Sequence, residues 1–469
     1  MSELQIEKEK PVLLEPLMSM NLGQKLGQLR AFPVRMGAGR EKALCAVYGA
    51  DFDDDPNQNM FFFPTDTLKM IVFTPDGEQL WKRDLGRGVV PGIWFCPVYP
   101  FDLNGDGVDE IWYVNNLNVN HPFSADNYRL ERVDALTGET LGQYPWPTNN
   151  KYVGKHSLTV VFRNFIMGGY VHGKPVLVTA QGKGSGNLSV QGWNPDLTER
   201  WEVVVTPDTP GARASHVSPI VDINQDGVDE LFWGERCIEL DRGKEIFCAD
   251  QDTYSGHSDV VQPVLDYETG RWGIYTCREG DRSATPRVVM FDSAGNRLWG
   301  AVDEGHMDIG WVARIGDQRK HIGMSIRIGA KKCGPDGRFH DGMDEFTFDI
   351  ATGQPHSLPY SIYRTIPVDI NGDGYHELVR GMPGGDGELL DRSGNSIGSV
   401  DGLVAMASKF VDLPGEQILS FRSDGTVQIW ADRNARDNEF ALERYTNPYY
   451  EACQRLYAVG YNLYIITGV

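Results

Sequence analysis

Ten histidines in 469 residues are few enough for their placement to carry information. Five of them stand at comparable points of an alternating apolar pattern: His121 in "NVNHPFS", His156 in "GKHSL", His216 in "ASHVSP", His257 in "SGHSD" and His306 in "GHMDIGW". Lys155, Lys183 ("AQGKGSGN"), Arg213 and Tyr254 occupy the same kinds of segment. Imidazole exchanges protons near neutral pH, and guanidinium or ammonium groups pair with carboxylates. Gathered on one rim, these side chains make a positive pocket for an acidic ligand, with acid and base groups at hand. Capping of inner strands is the structural alternative for any single histidine.

Two further groupings invite metal chemistry. Cys277 ("IYTCREGD"), Cys333 ("KKCGPDGRFH"), His340 and His257 fall in neighbouring units and suit tetrahedral Zn²⁺ in a closed, structural site, against the alternative of unrelated buried thiols. An acidic turn is written three times, "DLNGDGVDE" from Asp102, "DINQDGVDE" from Asp222 and "DINGDGYHE" from Asp369. Each offers oxygen ligands to Ca²⁺, although the spacing is shorter than an EF-hand loop and lacks its flanking helices. The structural alternative is a tight turn capped by Asp and eased by Gly.

The elements that must position these residues are short strands. A glycine- or aspartate-bearing turn between apolar alternations recurs as "TPDGEQLW", "LTGETLG", "PDLTERW", "DRGKEIF", "SAGNRLW", "ATGQPHS", "RSGNSIG" and "DGTVQIW". Read as the turn between third and fourth strands, this gives an all-β chain: a single β-propeller of four-stranded antiparallel blades, eight by count, or seven with a weak terminal unit. Residues 1–29 read as an N-terminal extension and 30–469 as the propeller with an apolar closing segment. The Asp-rich turns join first and second strands on one face. Loops between second and third strands, and links between blades, share the other face with the histidines. No helix of any length announces itself.

Composition narrows the function classes. A net charge of −21 excludes the basic footprint that nucleic acid demands. No run of 18 apolar residues marks a membrane span, and "MSELQIEKEKPVLLEP" lacks the apolar core of a secretory signal, which leaves the compartment open. Seven scattered cysteines do not form a disulfide framework.

The runs "HPFSADNYRLERVDALTGETLG", "FIMGGYVHGKPVLVTAQG", "SHVSPIVDINQDGVDELFWGERCIELDRGKEIFCAD" and "GHMDIGWVARIG" resemble the β-propeller polysaccharide lyases of the ulvan lyase type, related to rhamnose–glucuronate lyases. The resemblance implies a carbon–oxygen lyase that breaks an acidic polysaccharide by β-elimination. It implies His121 as the base, with His156 and Tyr254 orienting the sugar or supplying the acid. Arg213 or Lys183 would neutralise the uronate carboxylate, beside Lys155, His216 and His306. The loop in which such lyases carry a tyrosine reads "KGSGN" here, leaving Tyr254 or Tyr128 for that part. An α-L-rhamnosidase and a non-catalytic carbohydrate-binding propeller are the competing readings.

Overall fold

The computed structural model describes residues 11–469 apart from 58, 125–126, 147–157, 183–185, 280–284, 341–342 and 460–468, and apart from the side chains at 331–333, 338–340 and 458. Eight antiparallel sheets follow one another along the chain and close into a ring. Blade 1 is typical, with strands Gln28–Val34, Ala43–Gly49, Lys69–Phe73 and Gln79–Asp84 hydrogen-bonded in sequence order. Its first three strands are buried at every position, while the outermost is mostly exposed. Inner strands lie between neighbouring blades and so have no wet face, and only the outer strand keeps the polar alternation. Blades 2 to 7 start their inner strands at Val98, Asn164, Ile220, His257, His306 and Ile366.

Blade 8 differs from the sequence reading. Its inner strands are Leu403–Ser408, Gln417–Phe421 and Thr426–Asp432, and the fourth is Leu14–Asn21 from the start of the chain. The "DGTVQIW" turn therefore joins second and third strands, and the segment expected as an extension supplies the outer one. Seven antiparallel partner pairs, Leu14 with Asp432 through Asn21 with Thr426, tie the two ends of the chain together and close the ring.

The turn motif also has a physical reason that spacing alone did not reveal. Trp81, Trp201 and Trp299, at or near the end of their blades' motifs, donate indole N–H to Ala135, Leu240 and Ile350 carbonyls of the next blade at 2.8, 2.7 and 2.7 Å. Each ring then covers the following turn glycine: a Cβ on Gly138, Gly243 or Gly353 would lie 2.6–2.7 Å from it. Glycine and tryptophan recur together because one makes room for the other across the blade boundary. Removing such a ring costs on the order of 3–5 kcal/mol.

Two helices, Glu439–Thr446 and Pro448–Arg455, pack under the ring. Their signals were present: Asn438 caps the first through Phe440 and Ala441 N–H, and Asn447 precedes Pro448 and caps the second. Arg444 is fixed between Asp369 (3.1 Å) and Glu416 (2.8 Å), and its Nε donates to the Val469 carbonyl. Among the described residues no helix is long and apolar enough to cross a membrane.

Candidate metal and substrate site

Blades 5 and 6 open with the same four-residue pattern, Gly256-His257-Ser258-Asp259 and Gly305-His306-Met307-Asp308. In both inner strands the ladder slips at the aspartate: pairing passes from Ser258 to Val260 and from Met307 to Ile309. The bulge releases Asp259 and Asp308 from regular register and aims them with the preceding histidine. Blade 8 bulges at the same place, between Val404 and Met406, but carries Ala405 there and gathers no acid. The link before blade 4 completes the arrangement. Ala214–Ser215 pairs in parallel with His257–Ser258, which sets His216 beside them, 5.6 Å (ring centroids) from Trp94 and 5.2 Å from His257.

The resulting cluster is tight. His216 Nδ1 and His257 Nε2 lie 3.3 and 3.4 Å from Asp259 Oδ1, and His257 also contacts Glu279. His306 Nε2 stands 3.6 Å from Asp259, 3.0 Å from Glu279 and 3.2 Å from Asp308. Burial works against the charged form of His306, but these carboxylates outweigh it and push the imidazole up to about 11. Two sets, His216/His257/Asp259/Glu279 and Asp259/His306/Asp308, each bring their donor atoms within 4.8 Å of one another. Imidazoles and carboxylates converging in a largely buried pocket fit a divalent cation. The layer beneath is braced: Arg278 donates to both oxygens of Glu235 at 2.8 and 2.6 Å, and Ser258 and Thr276 bond the same carboxylate.

The expected site residues do not all meet. His216, His257 and His306 come together, though with carboxylates as partners. Cys277 is fully buried, its thiol pushed up to about 12 by burial and close to Ser325 and Tyr275; the Cys333 and His340 side chains lie outside the described residues, as do Lys155, His156 and Lys183. Tyr254 is buried, its hydroxyl donating to the His257 carbonyl at 2.5 Å with the Arg278 guanidinium 4.1 Å from its ring. Arg213 is half-buried and donates to the carbonyls of Thr206 and Gly186, joining a blade link to the loop that holds Lys183. His121 is exposed in a separate groove of about 1200 Å³ on the same face, lined by Phe61, Phe63, Phe123 and Arg87.

Asp259, Glu279 and Asp308 are the residues that sequence reasoning missed. Their signal was the doubled Gly-His-x-Asp, read only for its histidines. At the opposite face the acidic turns do join first and second strands. In each, the leading Asp already accepts N–H groups of its own turn: Asp102 from Gly105 and Gly107, Asp222 from Asp226 and Gly227, Asp369 from Gly372 and Gly374. Positive φ at Gly105 and Gly107 (77° and 87°) lets the chain wrap around the carboxylate. The three turns are neutralised differently. Arg132 meets Glu110 in the first and Arg444 meets Asp369 in the third. In the second, burial together with Asp222, Asp226 and Asp229 pushes Glu230 up to about 8.

No family model matches the chain. It is similar to two curated proteins of Bacillus subtilis (strain 168). These are the rhamnogalacturonan exolyase YesX, 24% identical over 335 residues, or 64% of this chain and 52% of that protein, and the rhamnogalacturonan endolyase YesW, 24% identical over 277 residues, or 50% and 42%. The chain thus spans about half the length of the curated relatives it matches. Among solved structures it superposes on YesX with a TM-score of 0.72 at 18% identity, covering 96% of this chain and 82% of the other. A Bacillus licheniformis rhamnogalacturonan lyase gives 0.74 at 17%, covering 96% and 81%. The chain therefore shares its eight-bladed propeller with rhamnogalacturonan lyases, and its resemblance is to β-propeller polysaccharide lyases.

Proposed function

We propose that the protein is a polysaccharide lyase that cleaves an acidic, pectin-type polysaccharide of alternating rhamnose and uronate by β-elimination. The carrying observation is the convergence of His216, His257 and His306 on Asp259 and Glu279 at the loop face of this propeller. The similarity to proteins named as rhamnogalacturonan lyases supports the same reaction and favours a pectin backbone over the glucuronate of ulvan.

Elimination removes the C5 proton beside a uronate carboxylate and expels the C4 oxygen, so the carboxylate charge must first be balanced. A divalent cation bound by His216, His257, Asp259 and Glu279 would supply that balance and acidify the C5 proton; two imidazoles among the four donors favour Zn²⁺ or a similar transition ion over Ca²⁺, which takes oxygen ligands. His306, beside Glu279 and Asp308, stands on the same side of the cluster. Arg213 belongs to the same rim, where Lys155 and Lys183, which lie outside the described residues, are expected from the sequence. His121 is the proposed base; to reach C5 the uronate must lie between the cation cluster and the His121 groove, whose phenylalanines offer faces to the neighbouring sugar rings. Tyr254 is already committed to the His257 carbonyl, so the proton for the leaving oxygen falls to His121 or to His156 rather than to Tyr254.

The test is a panel of rhamnogalacturonan, polygalacturonate, ulvan and rhamnose-capped glucuronans followed for ultraviolet absorbance of the unsaturated uronate. New absorbance on rhamnogalacturonan is expected. Absorbance on ulvan alone would move the specificity to glucuronate. Sugar release without a double bond would make the protein a glycosidase, and binding without turnover would make it a carbohydrate-binding propeller.

A further inference from the structure

At the face opposite the histidine cluster the charge problem is reversed. Arg314 directly follows the inner strand His306–Ala313 and is 2% exposed. Its guanidinium stacks on Tyr267 at 3.9 Å, yet its Nη2 is buried with no hydrogen-bond partner, and no described carboxylate forms an ion pair with it. Three other buried arginines are matched: Arg163 meets Asp55, Arg278 meets Glu235, and Arg444 meets Asp369 and Glu416. A guanidinium taken out of water without a counter-charge is strongly disfavoured unless something else supplies one.

The surroundings of Arg314 add donors rather than acceptors. His376 Nδ1 accepts the Arg314 backbone N–H at 3.0 Å, so its proton sits on Nε2, which is buried and unpartnered. His321 Nε2 is likewise buried and unpartnered. Burial, reinforced by the Arg314 and Arg444 charges, drives both imidazoles far below their ordinary range, so both stay neutral. A cavity of about 1020 Å³ opens onto this group, with Arg314, His321 and Tyr267 in its wall and Arg319 and Lys320 beside them. Acids line it too. Asp266, Asp292 and Asp349 are spent on N–H groups of their own turns, and Glu268 and Glu443 are exposed.

We infer that this cavity is an anion site, which takes an oxyanion (a carboxylate or a phosphate) on the Arg314 guanidinium beside the His321 imidazole. It is independent of the elimination chemistry. The ten-residue strand His257–Asp266 runs from one face to the other, and at the usual rise per residue it separates the two regions by roughly 30 Å.

Equilibrium dialysis of the full chain in Tris chloride, with inorganic phosphate and separately with galacturonate, tests the inference. Saturable uptake of about one equivalent is expected for at least one probe, with a matching rise in Tm that levels off. Saturation by phosphate alone assigns the site to free phosphate, by galacturonate alone to a sugar carboxylate, and by both to oxyanions in general. Arg314→Met should lower uptake at least tenfold. Should that variant fail to fold, His321→Leu serves in its place, with weakened uptake expected. No saturable uptake of either probe, with Tm only drifting upward as it does with any excluded salt, overturns the inference. So does undiminished uptake by a folded Arg314→Met protein.

Discussion

The inner strands of blades 5 and 6 end in opposite electrostatic conditions. At their starts, His257 and His306 lie among Asp259, Glu279 and Asp308, a carboxylate cluster that draws positive charge onto itself. At their finishes, Arg314 stands over Tyr267 with no ion-pair partner among the described residues, Glu443 and Asp369 acting on it only from farther off, next to two imidazoles held neutral. The same strands thus build a cation-seeking end and an anion-seeking end. A propeller allows this because each blade fixes its turns rigidly at both faces while the strand interiors stay apolar. What differs is local: a bulge that frees an aspartate at one end, and a link residue that follows the strand at the other.

Single substitutions separate the two ends of these strands. The largest effect is expected where a buried charge is already matched. Arg444→Met leaves Asp369 and Glu416 without their partner and should cost about 3–5 kcal/mol in denaturant unfolding. Arg314→Met, in anion-free buffer, should by contrast leave stability near that of the parent or raise it, since it removes an unmatched charge. A loss as large as that of Arg444→Met would show that Arg314 is already compensated. At the upper end, Asp259→Asn should remove a bound divalent ion and lower elimination by about 10²-fold with little change in Tm, read by elemental analysis beside the ultraviolet assay. Cys277→Ala separates the carboxylate cluster from the thiol-containing zinc set: metal content should persist while stability falls by about 1–2 kcal/mol for the small cavity left. The smallest change is expected at the cavity mouth, where Lys320→Ala should shift stability by less than about 0.5 kcal/mol.

The ring of blades was legible in the sequence because a turn between apolar alternations recurs eight times, and in four blades an aromatic after it (Trp81, Trp201, Phe247, Trp299) covers the next blade's turn glycine. The closing strand Leu14–Asn21 was not, since an outer strand supplied from the far end of the chain has no turn motif of its own. The two terminal helices hid behind their shortness, although Asn438 and Asn447–Pro448 are capping signals. At the site, the histidines stood out by rarity and position. Asp259 and Asp308 did not, because a bulge breaks the two-residue periodicity by which inward-pointing side chains are recognised, and a single aspartate in a strand looks like any polar residue. Glu279 arrives from the end of the second strand, adjacent in space through the His257 carbonyl (3.2 Å) rather than in sequence.

The most direct test follows unsaturated uronate absorbance on rhamnogalacturonan with the parent protein and Asp259→Asn side by side, each assayed after chelation and after divalent metal is restored. Absorbance is expected to grow with the metal-restored parent, to fall on chelation, and to stay near zero for the variant in both states. Equal rates for parent and variant, or cleavage of the polymer with no new double bond, would contradict it.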